Sequence, residues 1–133
     1  MHVIHLDHAT INTADVSSSV SFYRYYLGLK PGWRPPVDVG GAWLYPEGGS
    51  YPILHLIAHS EHVSKSGMFD HIAFRAKDLR AYLAKLKAIG DSYKASPVPG
   101  TNLIQVHHRD PNEVLVEVNF ADESLDEAER STT

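Results

Sequence analysis

The chain of 133 residues, 43% hydrophobic and 21% charged, has the length and balance of one globular domain able to bury a core. A formal charge of −4, with 12 Lys and Arg scattered along the sequence, leaves no basic face for a nucleic-acid backbone, and no apolar run is long enough to span a membrane. The absence of Cys excludes disulfides, thiolate metal sites and a cysteine nucleophile, whereas nine His exceed what packing alone requires.

The opening stretch VIHLDHATIN (3–12) alternates with the period of two expected of a half-buried strand. Asp15 then caps a helix over VSSSVSFYRYYLG, with Val16, Val20, Tyr23 and Leu27 at helical spacing and Gly28 as its stop. The turn-rich KPGWRPPVDVGG leads to short strands, the last of them YPILHLIA (51–58). Polar residues 59–67 join this half to a second. There MFDHIAFRA (68–76) alternates again, and Asp78 caps LRAYLAKLKAIG, with Leu79, Leu83, Leu86 and Ile89 on one side. After DSYKASPVPG, strands are expected over 101–109 and over EVLVEVNF (113–120). The acidic, polar tail 121–133 is expected to be a loose helix or disordered.

The two halves repeat one another. DHATINTADV at 7–16 matches DHIAFRAKDL at 70–79, with His8 and His71 as well as Asp15 and Asp78 offset by 63 residues. At an offset of 62, Leu27-Gly28 matches Ile89-Gly90, and ILHLI (53–57) matches LVEVN (115–119), so that His55 falls on Glu117. The expected fold class is therefore α+β: one domain over 1–120, made of βαβββ modules at 1–58 and 68–120. The modules pair within one chain or by exchange between the two chains of a homodimer.

Residues two apart on a strand share a face. Val114, Val116, Val118 and Phe120 form an apolar face fit to lie under a helix, which leaves Leu115, Glu117 and Asn119 opposite. By the same rule Leu54, Leu56 and Ala58 oppose Tyr51, Ile53, His55 and Ile57, while His8 sits with Leu6, Thr10 and Asn12, and His71 with Phe69, Ala73 and Arg75. If two curved four-stranded units meet about a pseudo-two-fold axis, the equivalent positions His8 and His71, His55 and Glu117 converge in a shared cleft. Three imidazoles and a carboxylate suit a divalent ion such as Fe, Mn, Ni, Co or Zn.

The βαβββ repeat, DHATINTADVSSSVSFYRYYLGL, DHIAFRAKDL and the closing RDPNEVLVEVNF resemble the vicinal oxygen chelate superfamily of glyoxalase, bleomycin-resistance and extradiol dioxygenase proteins, over about residues 3–120. The resemblance implies a curved eight-stranded cleft and, as metal ligands, the residue in each first strand and in each last strand: His8, His55, His71 and Glu117. The chain departs from a lactoylglutathione lyase of that family at His55, where a Glu is typical, and at Glu113, where the last hairpin usually has Gly. His8, His71 and Glu117 match the two-His-one-carboxylate set of extradiol dioxygenases and fosfomycin-modifying members, although ring-cleaving enzymes commonly have four modules where this chain has two.

Beyond the ligand set, His107 and Gln105 share a strand face directed at the expected cleft. His107 is a candidate catalytic residue beside Glu117. Gln105 and Arg75 are candidates for substrate binding, Arg75 through its fork of donors, with an internal ion pair the equal alternative for Arg75. Arg34 lies beside Trp33 in a loop and is read as an internal ion pair rather than a substrate contact, and Trp43 and Tyr45 as lining cavity or core. His2, His5, His59, His62 and His108 are read as surface or capping residues. The expected protein is a cytoplasmic, divalent-metal-dependent enzyme of lyase, isomerase or dioxygenase type, acting on a small substrate whose adjacent oxygens chelate the metal. The alternatives are a non-catalytic drug-binding resistance protein and a fosfomycin-type thiol transferase.

Overall fold

The computed structural model describes residues 1, 5, 6, 8–59, 71–126 and 129. The chain divides into two compact units, residues 1–64 and 65–133. Each has the order β-α-β-β-β, so the α+β fold with two βαβββ modules stands as expected from the repeat.

In the first unit β1 (Ala9–Thr13) leads through α1 (Val16–Leu27) to β2 (Lys30–Pro31), β3 (Gly41–Tyr45) and β4 (Leu54–Ala58). The strands lie in the order β1-β4-β3-β2, with β1 parallel to β4 and the other pairs antiparallel. Alternation sends Ile11, Leu44, Leu54 and Leu56 inward, beneath Tyr23 and Tyr26 of the helix. The buried stripe of α1 is Ser19, Tyr23 and Tyr26; Val16, Val20 and Leu27 flank it half-buried, a small rotation from the expected face. The rotation follows from a polar anchor: the Ser19 and Thr13 hydroxyls, both buried, lie 2.8 Å apart. Asp15 caps the helix by accepting from Ser18 N, and Gly28 closes it in the left-handed conformation. Gly41 permits the β3–β4 pairing directly, since a Cβ there would stand 2.1 Å from the Leu56 carbonyl oxygen.

The second unit repeats this arrangement with β5 (His71–Ala76), α2 (Leu79–Ile89), β6 (Lys94–Pro97), β7 (Leu103–Arg109) and β8 (Leu115–Ala121), in the order β5-β8-β7-β6. Its core joins Leu79, Tyr82, Leu83 and Leu86 of α2 to Ile104, Val106, Val116, Val118 and Phe120 of the sheet. Ile89, expected on that helix face, is 57% exposed, because the helix ends there at Gly90. Glu123 does not lie in a loose tail: its carboxylate accepts from the backbone N–H of Asp78 at 3.0 Å and of Leu79 at 2.7 Å, capping α2 together with the Asp78 side chain. His108, expected at the surface, is also corrected. It is 3% exposed on the helix-facing side of β7, with Nε2 2.6 Å from the Tyr82 hydroxyl. No described helix is long and apolar enough to cross a membrane.

Candidate functional site

The face of the second sheet turned away from α2 carries a grid of polar side chains fixed by strand register. Lys94, His107, Glu117 and Ala73 stand in one row across β6, β7, β8 and β5, and Ser96, Gln105, Asn119 and Arg75 stand in the next. Glu117 is the centre of this grid and is only 7% exposed. Its Oε1 accepts from Asn119 Nδ2 at 2.7 Å and from Gln105 Nε2 at 3.1 Å. Its Oε2 meets His107 Nε2 at 2.9 Å and His71 Nε2 at 3.3 Å. Burial acts to raise the Glu117 pKa, but it is outweighed by the hydrogen bonds from Asn119, His107 and Gln105 and by the attraction of His107, so the carboxyl stays below its ordinary value. The result is a nearly buried carboxylate held ionised and fixed in orientation.

His71 and His107, beside that carboxylate, are partly exposed. His107 lines a cavity of about 680 Å³ together with Tyr93, Lys94, His108, Arg109 and Leu115. Arg75 is exposed beside Asn119, with no hydrogen bond or ion pair among the described residues. Asn119 Oδ1 is buried and accepts no hydrogen bond from the described residues, while its amide nitrogen is oriented by Glu117.

In the first unit the equivalent residues meet differently. His55 on β4 pairs in register with Trp43 on β3, and the two rings stack with centroids 4.1 Å apart and planes at 9°. The other face of His55 carries His8, at 3.8 Å and 15°. Trp33 stands edge-on to Trp43 at 6.3 Å and is 71% exposed. Its loop is tied down by Tyr45, whose hydroxyl donates to Trp33 O at 2.7 Å, and by Arg34, whose Nη2 donates to Val39 O at 2.7 Å. This Arg34 contact is thus to a backbone carbonyl and not the ion pair expected. His5 and His59 are exposed, as expected, while His2 and His62 lie outside the described residues.

The donor sets of the two units fit a divalent ion unequally. Among the described residues no group of three or more His, Asp or Glu side chains is arranged to hold a metal. In the second unit, His71 Nε2 and Glu117 Oε2, 3.3 Å apart, have a separation that suits two ligands each about 2.1 Å from one ion. In the first unit, a metal bound by imidazole lies in the ring plane about 2 Å from nitrogen, and two planes 3.8 Å apart and inclined by 15° meet only about 14 Å away. The His8–His55 pair, as stacked, is no chelate. Sequence reasoning placed Asn119 on this face without a role, because its bond to Glu117 depends on rotamers, not on strand pattern. The stacking of Trp43 on His55 was hidden for a related reason: it needs the β3–β4 register.

A family model described as the Glyoxalase/Bleomycin resistance protein/Dioxygenase superfamily matches residues 5–118. A protein of Arabidopsis thaliana named Glyoxylase I 4 is 27% identical over 127 residues, covering 89% of this chain and 71% of that protein. Among solved structures, a glyoxylase/bleomycin resistance protein/dioxygenase domain from Frankia sp. EAN1pec superposes with a TM-score of 0.74 at 18% identity, covering 93% and 96% of the two chains. A mutant of the fosfomycin resistance protein FosX of Listeria monocytogenes, complexed with Mn(II) and 1S,2S-dihydroxypropylphosphonic acid, superposes at 0.68 with 15% identity, covering 93% and 96%.

Proposed function

Because the chain belongs to the Glyoxalase/Bleomycin resistance protein/Dioxygenase superfamily, we propose that it is a divalent-metal-dependent lyase or isomerase of a small oxygenated substrate. The carrying observation is Glu117, an ionised, nearly buried carboxylate with His71 and His107 on one oxygen. His71 and Glu117 would hold the ion, with His8 the candidate of the first unit. A bound Fe, Mn, Ni, Co or Zn ion would supply a Lewis acid that polarises adjacent substrate oxygens and stabilises an enolate or oxyanion.

The chain's own residues account for the rest. Gln105 and Asn119 fix Glu117 Oε1, which leaves Oε2 as the oxygen that takes a proton from a carbon beside a carbonyl. His107, whose Nε2–H donates to Oε2, would hold that oxygen in place. Arg75, exposed beside Asn119, would bind a carboxylate.

The test is metal analysis of purified protein together with turnover assays on thiol hemiacetals of 2-oxoaldehydes, on catechols with O₂ and on fosfomycin. We expect one conversion that requires a divalent metal and falls about 10²–10⁴-fold in Glu117→Gln. Metal content unchanged in both His71→Ala and Glu117→Gln would refute the assignment. A second reading, a drug-binding protein without turnover, is favoured by the exposed Trp33 standing edge-on to Trp43. Stoichiometric binding of a planar aromatic drug by metal-free protein, with no turnover in any metal, would establish it.

A further inference from the structure

We infer that His55 is a positioning residue, the middle ring of a Trp43–His55–His8 sandwich that fixes the plane of His8, and not itself a metal ligand. The inference rests on the metal-dependent reading only in taking His8 as a ligand. Its evidence is the unlike behaviour of equivalent pairs. In the second unit a Glu117 carboxylate oxygen meets an imidazole nitrogen of His71 at 3.3 Å, two atoms each able to ligate a metal. In the first unit His55 meets His8 face to face, at 3.8 Å with planes at 15°. Rings so stacked cannot both aim in-plane lone pairs at one ion.

The other face of His55 is occupied as well. Trp43 lies against it at 4.1 Å and 9°, from the position directly across the β3–β4 ladder. For His55 to rotate toward an ion it would have to leave both neighbours. Gly41, two residues earlier on the same strand, lets β3 lie close against the Leu56 carbonyl and so fixes the register that sets Trp43 across from His55. The residue type agrees with this role: a carboxylate at position 55 could ligate but could not stack, whereas imidazole offers a flat face. His8 precedes β1, and the His55 ring lies against one face of its imidazole.

The test measures Co(II) and Zn(II) binding by dialysis with metal analysis, with the visible Co(II) spectrum reporting the ligand set. His55→Phe, which keeps a flat ring and removes both nitrogens, should retain wild-type stoichiometry, an unchanged Co(II) spectrum and an affinity within about threefold. His55→Ala should weaken binding about 10–100-fold, the size of effect seen when a residue that orients a ligand is removed. His8→Ala should lose the ligand outright, with a changed spectrum. Trp43→Leu, which leaves both imidazoles in place but removes the backing ring, should weaken binding about 3–10-fold and provides the test should His55→Phe fold poorly. A His55→Phe protein that loses metal as His8→Ala does would overturn the proposal, as would unchanged affinity in His55→Ala or in Trp43→Leu. A wild type that binds no divalent metal would remove the enzymatic reading and this one with it, an outcome distinct from the three just named.

Discussion

Glu117 is held ionised by neighbours that differ in kind. Asn119 contributes the strongest of the bonds opposing burial, with His107 and Gln105 next. Removing the Asn119 amide leaves the cost of burial less opposed, so the Glu117 pKa should rise in Asn119→Ala. Carbon-13 NMR titration of the metal-free carboxyl group checks this, and a pKa that stays put or falls would contradict the assigned cause. The sign is that of an acid stabilised in its charged form: stabilisation is present above the unfolded-state pKa and is lost as pH falls through the lower folded-state value. Asn119 shows where residue-level reading stops. Alternation on β8 placed it beside Glu117 on the face away from the helix, but which donors reach a carboxylate is decided by the pairing of β7 with β8 and by rotamer packing.

Helices and strands were legible where caps and periodicity coincide. Asp15 and Gly28 bound α1 as expected, and Asp78 and Gly90 bound α2. The cap supplied by Glu123 was not legible, because it comes from 45 residues away in sequence. Its carboxylate takes the N–H groups of Asp78 and Leu79 at the positive end of α2, so Glu123→Ala should destabilise the protein by about 1–2 kcal/mol in urea unfolding. Glu123→Gln should retain part of that, since the amide oxygen still accepts. His108 was misread at this scale although the signal was present. Ile104 and Val106 point inward on β7, and a period of two carries His108 inward with them.

At the scale of the whole molecule, the internal repeat disclosed the architecture, since both sheets have the same strand order. The buried His108 ties the stability of the fold to pH. Burial pushes its pKa down to about 4, against the opposing attraction of Asp91, whereas the unfolded chain takes up that proton near pH 6.5. Stability is therefore full above pH 6.5 and is lost as pH falls toward 4. The stability gap between wild type and His108→Leu, followed by urea unfolding, should narrow by about 2 kcal/mol between pH 7 and pH 5. A constant gap would show that His108 titrates alike in both states. The strand order has a further consequence for biosynthesis. In each sheet the first strand lies at an edge, and its one neighbouring strand is the last to be synthesised: β4 for β1, and β8 for β5. A nascent chain halted before Leu54 or before Leu115 therefore holds an opening strand with no ladder to join, and each module becomes able to close its sheet only when its final segment emerges from the ribosome.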